Sequence, residues 1–303
     1  VPPAAIIERN RDIARGIRRR VLEHTLKNGG GYLSQACSSA EILATLYNGV
    51  MNLAPVPGPM TPAPFAGVPS TNNPDYRLGH AFNGPRQRVA DRFILSPTHY
   101  SLILYAALIE TGRMAPDALL EFNKDGSSLE MIGAEHSPGM EVMTGSLGQG
   151  LSQAIGMALG RRRNHEPGRI WLLMSDGEFQ IGMVWEAFQF MAHYELDTIG
   201  IYVDVNRQQC DGAMNSVMRL DPMVGKLAAF GAEVIQVDGH DLEALYEAGH
   251  APHPGKPLVV LCETNPCREV PELRNLGGKL HYVRIRNNVE RRRYQEILDG
   301  MGE

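Results

Sequence analysis

The stretch WLLMSDGEFQIGMVWEAF, residues 171–188, sets Asp176 and Glu178 around Gly177 at the end of a short apolar run. An acid is costly to bury there unless something positive sits on it. A second polar residue, Asn206, closes the next apolar run, TIGIYVDVN. One helix-length segment joins the two runs. A right-handed crossover makes them parallel neighbours with both ends on the same sheet edge. Open α/β sheets bind ligands at that edge. A carboxylate oxygen, an amide oxygen and a nearby main-chain carbonyl then converge on one point. Hard oxygen donors suit Mg²⁺ (or Ca²⁺) and not zinc. Mg²⁺ keeps positions open for phosphate oxygens, which implies a diphosphate or triphosphate ligand. Each residue alone has a plainer use, Asp176 as a helix N-cap and Asn206 as a turn residue in NRQQCDG. Their pairing across one crossover favours the metal–diphosphate reading.

The elements that must position this pair can be read from pattern. Runs at 92–96, 169–175, 198–206, 232–239 and 256–264 are strands, several of them apolar on both faces as in a parallel sheet interior. Helices are expected over 6–28, 38–51, 99–112, 114–123, 151–164, 182–196 and 241–251, with Ser38 or Ser39 capping the second. The alternation predicts an α/β fold, a doubly wound, mainly parallel sheet with helices on both faces. No internal repeat is visible and no boundary splits the chain, so 1–303 reads as one domain. Residues 54–88 are dense in Pro, Gly and Asn and read as a long loop, either functional or a plain insertion. Residues 124–150 form a second, glycine-rich loop.

Composition narrows the class. The chain has 303 residues, 43% hydrophobic and 21% charged, and needs no disulfide staple to hold its core. Its net charge of −5 gives no electrostatic case for nucleic acid or an anionic membrane. Four scattered cysteines do not make a disulfide framework or good zinc spacing. No run of about 18 apolar residues and no signal-peptide pattern is seen, so a cytoplasmic protein is expected. The VPPAA start lacks a Met, so a few preceding residues are expected. A G-x-x-x-x-G-K-[ST] loop is absent, because NGGGYLSQA and TGSLGQGLS lack the Lys. The dinucleotide fingerprint is absent too.

Longer segments carry a family resemblance. DGEFQIGMVWEAFQFMAHYELDTIGIYVDVNRQQCDG resembles the thiamine-diphosphate motif that starts Gly-Asp-Gly and ends in Asn, in its transketolase form. EVMTGSLGQGLSQAIGMALG is similar to the transketolase signature T-G-[SP]-L-G-Q-G, and DRFILSPTHYSLILYAAL to the segment D-R-F-x-L-S-x-G-H. SSAEILATLYN is similar to the helix after the family's first His loop. The likeness runs from about residue 15 to about 285 and covers the diphosphate-binding half of the family's usual chain.

The resemblance implies thiamine diphosphate and Mg²⁺ (or Ca²⁺) as cofactors. Asp176, Asn206 and the carbonyl of Gln208 would hold the metal. Gly145, Ser146, Leu147, Gly177, Glu178, His99, Asn206 and His281 would face the cofactor. His99, His281, Tyr32 and His136 would face substrate, and Glu186 would link paired active sites. His99 can also cap the next helix, and His281 can be a loop residue in solvent. The implied reaction moves a two-carbon ketol unit from a ketose (phosphate) donor to an aldehyde acceptor. The pyrimidine-binding domain, with its activating glutamate, would come from a C-terminal subunit in an α2β2 assembly. Three departures bear on specificity. Tyr32 stands where a substrate-facing His is expected. Ile132 stands near a second such His, with His136 as the candidate substitute. Ile181 replaces a glutamate. Two alternatives stay open: an alpha-type subunit of a 2-oxo acid dehydrogenase passing a two-carbon acyl unit to a carrier thiol, and a non-catalytic subunit.

Overall fold

The computed structural model describes residues 2–68 and 70–302. Val1, Pro69 and Glu303 lie outside the described residues, so the domain expectation for 1–303 and the loop expectation for 54–88 each include residues not described.

The five apolar runs form β1 (Arg92–Leu95), β2 (Ile170–Ser175), β3 (Ile199–Val205), β4 (Glu233–Asp238) and β5 (Leu258–Glu263). They make one parallel sheet in the order β1-β2-β3-β5-β4. Its strands other than the edge strand β4 bury side chains on both faces in alternation. Phe93, Trp171, Leu173, Tyr202 and Val260 point into one core, and Ile94, Leu172, Met174, Ile201 and Leu261 into the other. The helices of seven or more residues are α1 (Ala4–Asn28), α2 (Leu33–Thr45), α3 (Ser101–Glu110), α4 (Gln149–Arg163), α5 (Gly182–His193), α6 (Met223–Ala229), α7 (Leu242–Gly249) and α8 (Asn288–Gly300). The first core takes residues from α1, α2, α3, α7 and α8, and the second from α4, α5 and α6. This is the doubly wound α/β fold the alternation predicts.

β2 and β3 are tied at close quarters. A Cβ on Gly200 would lie 2.3 Å from the Trp171 ring, so only glycine lets the indole cross its neighbour strand. Trp171 Nε1 donates to Asp91 Oδ2 at 3.0 Å, which satisfies its buried N–H.

Three expectations change. α2 starts at Leu33, five residues before the expected segment, and Ser38 and Ser39 are buried inside it and cap nothing. The 114–123 segment yields only a 3₁₀ turn, Ala118–Glu121. α6 and α8 were not anticipated; Asn287 caps α8 by accepting from the N–H groups of Val289 and Glu290. The long loop is pinned at its far end. Asn83 Oδ1 accepts from Tyr47 Oη at 2.9 Å, and its Nδ2 donates to the Gly139 carbonyl at 3.0 Å.

Candidate functional site

The β2–β3 register places Ser175 opposite Asp204, so Asp176 and Asn206 emerge side by side at the carboxyl edge of the sheet. Ser175, not Asp176, is the N-cap of the following turn, with Glu178 completing a capping box. Asp176 is therefore free for another purpose. It is 2% exposed. Its Oδ2 accepts from the Arg207 N–H at 2.8 Å, and its Oδ1 has no hydrogen-bond partner. Burial, and then the nearby carboxylate of Asp204, push its carboxyl up to about 8, against hydrogen bonds from the Arg207 and Gly177 N–H groups. A buried acid oxygen with no donor is a place for a cation.

Asn206 does serve its turn, since Oδ1 accepts from the Gln208 N–H at 2.9 Å. Its Nδ2 donates to Asp204 Oδ2 at 2.9 Å and to Tyr100 Oη at 3.1 Å. That fixes the amide with its oxygen turned away from the buried acid. Gln208 Oε1 is also buried without a partner. Asp204 organises the corner. It is fully buried and accepts from Ser38 Oγ at 2.6 Å, Tyr100 Oη at 2.9 Å and Thr264 Oγ1 at 2.5 Å. Sequence reading missed Asp204 and its partners. The available signal was period 2, which puts residues 204 and 206 on one face of a strand.

A cavity of about 390 Å³ opens on this corner. Tyr32, His99, His281, Gly145, Leu147, Gly177, Asn206 and Gln208 all line it, as does Ile132. The glycine at 177 is not demanded by the chain's own packing, because a Cβ there meets nothing nearer than 3.9 Å. The rings of His99 and His281 lie 4.9 Å apart, and Tyr32 sits 5.3 Å from the first and 5.6 Å from the second. Burial, and then His281, push the His99 imidazole down to about 3. Burial also lowers His281, against the charge of Asp211. Both rings are neutral near pH 7 and can each accept one hydrogen bond and donate another.

Main-chain and side-chain bonds hold this wall. Gly30 pairs with Arg284 and Gly31 with Val283 as a short antiparallel ladder. Ser34 Oγ donates to the Leu280 carbonyl at 2.6 Å, and Gln35 Nε2 to the His281 carbonyl at 2.8 Å.

Asp176 does not itself line the cavity, though its neighbours Ser175 and Gly177 do, and four further candidates lie elsewhere. Glu178 is fully buried and does not line the cavity. Its carboxylate accepts from Ser96 Oγ, from the Gly148 N–H at 3.0 Å and from the Ser175 N–H at 2.9 Å, so it braces the turn behind the cofactor corner. His136 lines a different cavity, 4.5 Å ring to ring from Phe65 and 3.2 Å from Glu130 Oε1, and Ile132 keeps the site position. Ser146 is exposed in an open cleft beside Gly145. Glu186 is exposed on α5. No group of three or more His, Cys, Asp or Glu is arranged for a metal among the described residues. The Asp176 corner has one carboxylate and relies on amide and carbonyl oxygens.

A ligand cavity at the carboxyl edge of a doubly wound sheet, between two parallel strand ends, defines an α/β ligand-binding domain with its site at the β2–β3 edge. Residues 75–275 match the family model described as "Transketolase, thiamine diphosphate binding domain". The chain belongs to the transketolase family. It is 35% identical to a transketolase family protein of Sinorhizobium fredii over 277 residues, 90% of this chain and 89% of that one. It is 32% identical to a 6-deoxy-6-sulfo-D-fructose transketolase subunit from a Clostridium species over 251 residues, 82% of each. Its fold superposes on the transketolase of Leishmania mexicana with a TM-score of 0.69 at 21% identity, covering 97% of this chain and 45% of that one. The chain thus spans less than half of that longer transketolase. No helix among the described residues is long and apolar enough to cross a membrane.

Proposed function

We propose that this chain is the N-terminal, diphosphate-binding subunit of a thiamine-diphosphate- and Mg²⁺-dependent transketolase, moving a two-carbon ketol unit from a ketose to an aldehyde. The observation that carries the reading is the orphaned, buried carboxylate oxygen of Asp176, whose neighbours Ser175 and Gly177 line the cavity with Asn206 and Gln208. Asp176, Asn206 and the Gln208 carbonyl would hold Mg²⁺ (or Ca²⁺), which would neutralise the diphosphate. Thiamine diphosphate, when bound, supplies the nucleophilic carbon and the electron sink for carbon–carbon cleavage. The chain's own part is to bind and orient. Gly177 and Gly145 leave room for close approach, and Leu147 and Ile132 give an apolar wall. His99 and His281, both neutral, would exchange hydrogen bonds with substrate hydroxyls and diphosphate oxygens.

A C-terminal transketolase subunit would supply the pyrimidine-binding domain and its activating glutamate. The Clostridium relative, matched over 82% of its length and called a subunit, supports that division. An α2β2 assembly would find a flat surface on α4, where Ser152, Gly156 and Gly160 are exposed. Small residues there let a second copy approach closely. The four free cysteines fit a cytoplasmic setting. Calorimetry with thiamine diphosphate and Mg²⁺, on the chain with and without its partner, tests the reading. Binding is expected, tightest with the partner, and no binding in either case would overturn it.

A further inference from the structure

The Pro-rich loop at 54–88 is tied down at several points. The Met60 N–H donates to the Arg113 carbonyl at 3.1 Å, the Phe65 N–H to the Gly126 carbonyl at 2.8 Å, and the Gly79 N–H to the Glu135 carbonyl at 2.8 Å. Ser128 Oγ donates to the Ala63 carbonyl at 2.7 Å. These bonds frame a cavity of about 380 Å³ between the loop and the 128–136 segment, a volume usual for small-molecule sites. It shares no lining residue with the catalytic cavity.

Three side-chain atoms of its lining are buried without a hydrogen-bond partner: Tyr76 Oη, His80 Nδ1 and His136 Nε2. Two of them have a carboxylate close by that does not complete a bond. Glu130 Oε1 lies 3.2 Å from His136 Nε2 but out of line, and the charge of Glu135 acts on Tyr76. Each such atom is costly to leave unpaired, so a loop that merely filled space would not gather three of them. Most of the remaining lining is apolar, with Met60, Pro64, Phe65, Leu78 and Phe82. Phe65 is 38% exposed, and its ring lies 4.5 Å from that of His136. Thr61 and Arg77 also line the cavity and are exposed to solvent.

These groups narrow the occupant. The tyrosine oxygen and a neutral imidazole nitrogen can each accept a hydrogen bond, and the two carboxylates beside them favour a donor there. Arg77 disfavours a cation. A sugar would leave hydroxyls unpaired against the five apolar side chains. A flat neutral ring bearing N–H groups would satisfy the orphaned atoms and cover the open face of Phe65.

We propose that this cavity is a binding site, separate from the catalytic one, for a neutral heteroaromatic molecule with N–H donors. The proposal does not depend on the ketol-transfer reading.

The test uses the full chain and benzimidazole as the probe. Benzofuran, a similar ring without the N–H, and ribose are the comparisons. Histidine C2–H resonances, assigned by single replacements such as His80→Gln and His136→Gln, report binding. Benzimidazole should shift the His80 and His136 resonances saturably and leave those of His99 and His281 in place. Benzofuran should bind at least about tenfold more weakly, and ribose should shift nothing. Tyr76→Phe and Phe65→Ser should each weaken benzimidazole about five- to tenfold. Both residues lie outside the two cores, so the thermal midpoint should be unchanged. No shift in the wild type, a shift shared with His99 and His281, or benzofuran or ribose binding as tightly as benzimidazole would overturn the site. Calorimetry with thiamine diphosphate and Mg²⁺ stands apart, since a failure there bears on the ketol-transfer reading alone.

Discussion

Asp176→Asn should make the free protein more stable and the cofactor-loaded protein less so. Asp176 is 2% exposed, and one of its oxygens has no donor. The fully buried carboxylate of Asp204 lies close enough to push it up further. In the free chain the acid is therefore a net cost. Asparagine keeps one oxygen to accept from the Arg207 N–H, the bond now made at 2.8 Å. It gives up an oxygen that accepts from nothing. An unpaired amide Nδ2 takes that place, so the gain comes from removing a buried charge beside Asp204, roughly 1–3 kcal/mol. For a chain of this size each kcal/mol moves the thermal midpoint by about 2 °C, so the free variant should melt roughly 2–6 °C higher. The loaded protein should show the reverse. Ligand at 100 times its dissociation constant adds about 2.7 kcal/mol to the wild type. The variant, lacking the only charged metal ligand proposed, should gain less than about 1 kcal/mol at the same concentration. Thermal unfolding with and without thiamine diphosphate and Mg²⁺ reads both effects in one experiment. A free variant that melts below the wild type, or one that keeps the full ligand-induced shift, refutes the reasoning.

Two further predictions use neighbouring groups. Asp204→Ala strands Ser38, Tyr100, Thr264 and the Asn206 amide, which now donate to it at 2.5–2.9 Å. It should cost at least about 3 kcal/mol in urea unfolding and weaken thiamine diphosphate–Mg²⁺ binding at least about tenfold, with Asp204→Asn milder in both. Glu41 governs acid stability. Burial pushes its carboxyl up, but the His240 hydrogen bond and the Arg18 guanidinium overcome that and hold it at about 2. Its folded value is depressed, so its stabilisation is complete above about pH 4.5 and lost as pH falls from there toward 2. About 2 kcal/mol should be lost between pH 7 and 3 in the wild type and nearly none in Glu41→Gln, as urea midpoints at pH 7, 4 and 3 will report.

The strands were legible because burial on both faces leaves a plain signature. Runs such as IWLLMS have no polar face, and all five expected strands appear with ends shifted by at most two residues. α2 was misread for a physical reason. Ser38 and Ser39 have the right chemistry for an N-cap, but their hydroxyls are engaged inside the helix. Ser38 donates to Asp204 across the core, and Ser39 donates to the Gln35 carbonyl at 2.7 Å. The helix instead begins at Leu33, with no side-chain cap at Tyr32, after a glycine run already held by the ladder to residues 283–284. Propensity cannot see a partner 166 residues away. The same distance hid Asp204, whose partners come from α2, the turn before α3 and the segment after β5. Glu178 was misassigned because proximity to Gly177 says nothing about direction. Its carboxylate folds back to the Gly148 N–H at the start of α4.

The two ends of the cavity are built by different means, and that decides which of them can change. At the Asp176 corner the polar groups are held by side chains. Asn206 is oriented by Asp204 and Tyr100, and Asp204 in turn by Ser38 and Thr264. Replacing any one leaves a buried donor or acceptor without its mate. At the opposite wall the main chain is what is held, by its own ladder and by the side chains of Ser34 and Gln35. The ladder of Gly30 and Gly31 to Arg284 and Val283, and the carbonyls of Leu280 and His281, fix the chain without using the side chains of Tyr32 or His281. Those side chains meet one another, His99 and Tyr282 as rings 4.9–5.6 Å apart. A tyrosine can therefore stand at position 32 in place of an expected histidine without disturbing the cofactor corner. The physical consequence is that cofactor affinity and acceptor choice should respond to separate sets of substitutions in this chain.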